Sequence, residues 1–273
     1  MKHKPTLWLL SAAVLFWITL PVSTHSLTAK SERTIAGKEV QEQQDWTERD
    51  EINRSYQLSP GARVEVSMIY GPVDIETGDT NTAEVHIVRS ARLREDLESR
   101  KITIEHTPTS LLIRGEQDHS EGPAKVRHRV LLKIPRHVEL FVEKVNARLN
   151  VGETNGAVHL SRINGAAKVA QAAGYAEISQ INGSLSITLT RLGEQGMVVD
   201  HVNGAVDLRF AEDLNADLKV TDHNGSVNAE VSNVMVIEKS ARSVFRARIG
   251  SGGLPISISN VNGSVHLART PSY

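Results

Sequence analysis

The sequence predicts an all-β fold: a β-solenoid with coils of about 19 residues, preceded by a strand-rich entry region. Three observations carry this. Asn-Gly pairs recur at 155, 164, 182, 203, 224 and 262, and Asn146-Ala147 and Ala173-Gly174 fill the same slot, so 146, 155, 164, 173 and 182 fall nine apart. Apolar residues stand at the third and fifth positions past most of these corners, as in Val158 and Leu160, Leu185 and Ile187, or Val206 and Leu208. Aromatic residues are scarce, with 4 Phe, 3 Trp and 4 Tyr among 273 residues, and there is no Cys. A narrow interior filled by small aliphatics needs few rings.

Residues 1–26 read as a secretory signal peptide. Lys2 and Lys4 precede an apolar run from Leu7 to Leu20, and Thr24 and Ser26 suit the −3 and −1 positions of a cleavage site. The run is shorter than the roughly 20 apolar residues that span a bilayer. Cleavage after Ser26 removes two of the 31 Lys and Arg and none of the 32 Asp and Glu, leaving 29 − 32 = −3. Residues 27–50 are charged and Gln-rich without apolar period, a polar leader. Residues 51–145 alternate with period two in Arg63 to Met68, Ala83 to Val88, Lys101 to Glu105, Leu111 to Arg114 and Val126 to Ile134, with turn signals such as Ser59-Pro60-Gly61 between them. This region is expected to be strand-rich and to cap the solenoid, with the charged stretch Ala91 to Arg100 as a solvated loop.

Residues 146–273 hold the repeat. An antiparallel meander with type I′ Asn-Gly turns is one way to build a nine-residue unit. Parity opposes it: in Ala157 to Ile163, Val158 and Leu160 share one strand face and Ile163 falls on the other. A short strand, a corner and a second inward residue fit better, so each unit is half a coil. Coils are expected to begin at 146, 164, 182, 203, 224 and 262, stacked in that order, with an irregular one near 243. Asn-Gly is expected to turn the corners through left-handed backbone angles. Asn164, Asn182, Asn203, Asn224 and Asn262 would then stack as a structural corner ladder. The polar tail, Ala268 to Tyr273, would guard the last edge.

The chain resembles the exported bacterial β-helix domains known as putative adhesins, over roughly Arg63 to Leu267. The resemblance rests on Tyr70-Gly71-Pro72-Val73-Asp74-Ile75, on Leu131-Leu132-Lys133-Ile134-Pro135-Arg136-His137-Val138, and on the Asn-Gly-x-apolar-x-apolar units. Asn146-Ala147-Arg148 lacks the glycine, and the stretch near Ser243 lacks Asn-Gly altogether. The resemblance implies export and a non-catalytic surface role, and it brings no ligand or catalytic residue with it.

Chemistry-bearing constellations are few. Without Cys there is no disulfide, thiolate metal site or cysteine nucleophile. A net charge of −1 offers no phosphate-tracking surface, which argues against nucleic acid as a partner. Asp200-His201 and Asp222-His223 precede corners and could place acid and imidazole on neighbouring coils. Against the corners, however, His201 aligns with Asp222, and His223 takes the slot of Ile163, Ile181 and Val202. His201, Asp222 and His223 are therefore the metal candidates, with a purely structural use preferred. His159 and His266 are expected to point outward. No Gly-x-Ser-x-Gly elbow or His-Glu-x-x-His motif occurs.

The sequence thus points to a non-enzymatic exported protein, needing no cofactor, with an adhesin-like binding or structural role in the periplasm or at the surface of a bacterium. Its expected partner is an envelope or extracellular protein or glycan. The alternatives are a carbohydrate-active β-helix enzyme and a metal-binding envelope protein. The enzyme would need paired carboxylates and sugar-stacking rings.

Overall fold

The computed structural model describes residues 46–116, 125–211, 213–230, 234–240 and 244–270. The expected signal peptide and most of the polar leader lie outside these residues. Two large mixed sheets account for almost all of the described chain. The ten-stranded sheet runs, in spatial order, β1 (Glu48–Gln57), β4 (Thr82–Ala91), β7 (Val126–Pro135), β3 (Val73–Gly78), β9 (Leu149–Thr154), β11 (Ala167–Ala172), β13 (Leu185–Leu189), β15 (Val206–Phe210), β21 (Val265–Arg269) and β17 (Val227–Ala229). The eleven-stranded sheet runs β18 (Val234–Ser240), β19 (Val244–Ile249), β16 (Ala216–His223), β20 (Leu254–Val261), β14 (Met197–Val202), β12 (Ala176–Ile181), β10 (Val158–Ile163), β8 (Glu139–Val145), β2 (Arg63–Ile69), β6 (Ser110–Gly115) and β5 (Ile102–Thr107). One short helix, α1 (Arg94–Ser99), stands in the segment expected to be a loop.

From β8 to β15 the strands alternate between the sheets, each pairing in parallel with the strand two places on. An Asn-Gly corner therefore joins strands of different sheets: β10 passes through Asn164-Gly165 to β11. We call one strand from each sheet a tier. Inward columns such as Leu140, Val158, Ala176, Met197 and Ile256 line up across the tiers, every member at most 2% exposed.

The change of parity has a backbone cause. Met68, Lys144, Arg162, Gln180, His201, Asn260 and Asp222 all have φ between 52° and 58°, and all take one position in their strands of the eleven-stranded sheet. A left-handed residue reverses the alternation, so both Leu160 and Ile163 turn inward. The left-handed turn was expected at the Asn-Gly pairs and is found instead two residues before Asn146, Asn164, Asn182, Asn203, Asn224 and Asn262. The corner glycines serve close approach instead. A Cβ on Gly183 would lie 2.5 Å from the Gly165 carbonyl oxygen, and one on Gly204 2.4 Å from that of Gly183.

Four further expectations are corrected. First, the alternation begins before 146: β2 and β3 form a tier stacked in parallel on β8 and β9, with 79–138 inserted between. Parallel neighbours from β8 to β12 are 18 residues apart, and 21 at the step to β14, the spacings of the expected starts 146, 164, 182 and 203. Second, β20 and β21 lie between the β14/β15 tier and the β16/β17 tier, so spatial order departs from sequence order there. The described start of the tail does not cover the last edge, because Ala268 and Arg269 sit inside the ten-stranded sheet and the outermost strands at this end are β17 and β18; residues 271–273 lie outside the described residues. Third, the stretch near 243 is no coil; β18 and β19 pair antiparallel, and β19 pairs antiparallel with β16. Fourth, β1 starts at Glu48, within the span assigned to the leader.

At the other end, β4 pairs antiparallel with β1 and β7, and β5 antiparallel with β6. Buried Arg89 ties this end together, donating to the carbonyls of Leu97 and Arg100 at 2.9 Å each and pairing with Asp50. A cation at the C-terminal end of α1 also suits the helix dipole. The outer edge, β1, carries Glu48, Arg49, Asp50, Glu51 and Arg54, charges that discourage pairing with another chain.

Candidate binding surface

The Asn column runs through six tiers. Asn164 donates to Asn146, Asn182 to Asn164, Asn203 to Asn182, Asn262 to Asn203 and Asn224 to Asn262, all between 2.7 and 3.1 Å. Each amide inside the column, Asn164, Asn182, Asn203 and Asn262, spends a donor and an acceptor on its neighbours, which is a structural use and leaves little for a ligand.

The metal candidates are not assembled. His201 and Asp222 share the left-handed column, but Asn260 stands between them. The exposed His201 ring bonds to Asp200, and His223 faces the interior. Burial alone would raise the Asp200 carboxyl, yet hydrogen bonds from Asn260, Ser259 and His201, with the His201 charge, hold it below the usual carboxylate value. Among the described residues, no group of His, Cys, Asp and Glu is arranged to hold a metal ion.

A different cluster lies on the outer face of the eleven-stranded sheet. Glu65, Phe141, His159 and Glu177 occupy one outward column on β2, β8, β10 and β12. The Phe141 and His159 rings stack with centroids 4.3 Å apart and planes 2° from parallel. The Arg63 guanidinium covers Phe141 at 3.7 Å, an electrostatically favourable cation–ring contact. Tyr175 meets His159 edge-on at 5.7 Å. Carboxylates surround the imidazole, with Glu177 at 3.2 Å from Nδ1 and Glu139 at 3.6 Å from Nε2. Glu65 pairs with Arg63 at 3.2 Å and Arg114 at 3.5 Å. Arg63, Glu65, Phe141, His159 and Glu177 line a groove of about 200 Å³. Loss of hydration, and secondarily the Glu177 charge, raise the Tyr175 hydroxyl above its ordinary value.

His159 points outward as expected, but its partners were missed. The signal was present in the spacing: 141, 159 and 177 differ by two nine-residue units, so their side chains had to be neighbours on adjacent tiers. Of the few Phe, Trp and Tyr rings in the described residues, Phe141 and Tyr175 lie here. The carboxylates of the groove are all paired, Glu65 with Arg63 and Arg114, Glu143 with Arg162, and Glu177 with His159. Among the described residues, no helix is long and apolar enough to cross a membrane.

No protein-family model matches the chain, and no curated protein matches it. Solved structures do. A protein of Clostridium sporogenes named "putative cell adhesion protein" is 10% identical and aligns over 82% of this chain and 100% of its own, with a TM-score of 0.43. A "putative adhesin" of Bacteroides fragilis is 10% identical over 81% of this chain and 97% of its own, with a TM-score of 0.30. A "putative lipid binding protein" of Parabacteroides distasonis is 10% identical, with coverages of 81% and 97% and a TM-score of 0.23.

Proposed function

We propose that this chain is an exported β-solenoid that works by binding rather than catalysis, in an adhesin-like role at the bacterial envelope, with an envelope or extracellular protein or glycan as partner. The Arg63, Phe141, His159, Glu177 and Tyr175 stripe is the contact surface. The observation that carries this reading is that stripe: rings, a guanidinium and carboxylates held on rigid parallel strands, with small residues such as Ser161 and Ser179 beside them. Rigid aromatic and Arg side chains lose little entropy on contact and dominate binding energy at interfaces. Two features support the solenoid reading, the alternation of strands between sheets and the unbroken Asn column through six tiers. Lys2, Lys4 and the apolar run from Leu7 to Leu20 support export.

The test combines fractionation with binding. The full-length protein expressed in its own cells is expected outside the cytoplasm, shortened to begin near Leu27. Purified protein is expected to bind glycans or proteins of the cell envelope, and Arg63→Ala with His159→Ala to lose that binding at unchanged melting temperature. A cytoplasmic protein with Met1 intact, or binding indifferent to the double substitution, rejects the reading.

A further inference from the structure

The outer face of the ten-stranded sheet carries its charge unevenly. In β7 the run Val126-Arg127-His128-Arg129-Val130 alternates, so Val126, His128 and Val130 are buried while Arg127 and Arg129 project outward. The two Arg stand about 6.7 Å apart along the strand. Antiparallel pairing sets Arg127 opposite Ser90 of β4, and Ser90 opposite Arg49 of β1. The result is an Arg-Ser-Arg row with about 4.8 Å between strands. In the next row Arg129 stands beside Val88, and Val88 beside Glu51.

Three cations elsewhere in or beside this sheet are matched by acids. Lys133 pairs with Glu84 at 3.6 Å, Arg148 with Asp74 at 3.4 Å, and Arg136 with Asp79 at 2.9 Å and Glu153 at 3.1 Å. The β1/β4/β7 corner differs. Asp50 turns inward to Arg89, and Glu51 pairs with Arg49 at 2.5 Å. Among the described residues, Arg129 and the Ser90 hydroxyl meet no partner, and Arg127 meets only the Trp46 ring, 4.2 Å from its guanidinium carbon. Arg92 approaches the same ring at 5.6 Å. The ring steadies Arg127, so less side-chain freedom is lost when its N–H groups engage a ligand.

We infer that this corner binds an acidic glycan, with one carboxylate, sulfate or phosphate group over Ser90, accepting from its hydroxyl and from Arg127, and with Arg129 engaging the chain further along. Guanidinium forks and a hydroxyl are all donors, and the forks match the paired oxygens of such anions. An open sheet face with donors spaced along a strand suits an extended chain rather than a compact molecule. The choice of a glycan over a nucleic acid rests on the exported location proposed above. The site belongs to the other sheet from the Phe141 and His159 stripe, so the two can be tested apart.

Trp46 is the only Trp after Trp17, so its fluorescence reports on this corner. Titration of the purified protein with dextran sulfate should change Trp46 emission saturably, and uncharged dextran, which has the same backbone, should not. By calorimetry, Arg127→Gln with Arg129→Gln should weaken dextran sulfate binding by about tenfold or more, the loss of two charge-assisted contacts. Both side chains are exposed, so the melting temperature should hold. Lys168→Gln with Arg209→Gln removes the same charge from exposed positions of the same sheet and should change affinity by less than about twofold. Arg63→Ala with His159→Ala should leave this binding unchanged, whatever it does to the stripe. A flat or unsaturable response, an equal response to dextran, or equal losses in the Arg127/Arg129 and Lys168/Arg209 variants overturns the inference. So does tighter binding to phosphatidylglycerol vesicles or to single-stranded DNA than to dextran sulfate. Purified protein is used throughout, so the result stands wherever the protein resides in the cell.

Discussion

Gly183 lies against the carbonyl of Gly165 so closely that a Cβ on it would sit 2.5 Å from that oxygen. Gly204 repeats the relationship with Gly183, and Gly263 with Gly204. None of these glycines has positive φ, so the constraint is distance between tiers and not backbone angle. Gly183→Ala should force the tiers apart and cost on the order of 1 to 3 kcal/mol in urea unfolding. Gly61→Ala is the contrast. Its φ is +76° but nothing lies within 4 Å of the added methyl, so it should cost only the backbone penalty, about 1 kcal/mol.

Truncation of an inward residue should separate sharply from truncation of an outward one. Leu208 is fully buried, and Leu208→Ala should lose about 2 to 5 kcal/mol through lost burial and a residual cavity. Lys168 is exposed, and Lys168→Ala should change stability by less than about 0.5 kcal/mol. Equal losses at both positions in chemical denaturation would contradict the inward register.

The Asn column gives a finer test. Asn203 donates to Asn182 and accepts from Asn262 at 2.9 Å each, so Asn203→Ala breaks two links at once, whereas Asn224→Ala, at the column's end, breaks one. Both amides are exposed and can turn to water, which keeps the losses small; the loss at Asn203, about 1 kcal/mol, should be the larger. Thermal melts of the two variants decide it.

Acid should weaken the β1 end through His128. Its Nδ1 accepts the Tyr70 backbone N–H at 3.2 Å, and the ring is 4% exposed. Burial, then the neighbouring Arg89 charge, lower its pKa from 6.5 to about 4. Between these values the unfolded chain takes up a proton that the folded chain refuses. The stability from the neutral ring is therefore complete above pH 6.5 and is lost as pH falls towards 4, by up to about 3 kcal/mol. His128→Gln should flatten the fall between pH 7 and pH 4 relative to the unsubstituted protein, measured as denaturation midpoints across that range.

The inward residues were legible because burial enforces a pattern: Val158, Leu160, Ile163, Leu185, Ile187, Val206 and Leu208 are each at most 1% exposed, as their spacing from the corners required. The left-handed residues were not legible, since Lys144, Arg162 and Gln180 have side chains with no special taste for positive φ and accept it because the inward turn of Val145, Ile163 and Ile181 demands it. The order of the last tiers was hidden for another reason. Asn224-Gly225-Ser226-Val227 and Asn262-Gly263-Ser264-Val265 are the same four residue types, so nothing local says which stacks on Asn203. In the outer stripe, the eighteen-residue spacing of Phe141, His159 and Glu177 was readable, but the approach of Arg63 came from a strand seventy-odd residues earlier and required the β2/β8 pairing.

That placement of β20 and β21 between earlier strands has a temporal side. A ribosome or an export channel delivers the chain from its N-terminus, and tiers up to β15 can each settle on the one before as they emerge. The next segment, β16 and β17, meets no parallel partner when it arrives, because its seat is on strands not yet delivered. The final 254–269 segment must then slide in and pair on both sides, with Asn262 bonding to Asn203 across 59 residues and Asn224 bonding to Asn262 across 38. Such long closures come late and slowly. Closure of the two sheets is thereby withheld until the 254–269 segment has been delivered, so a chain interrupted before residue 254 leaves β14 and β15 with an open edge that can pair with another chain.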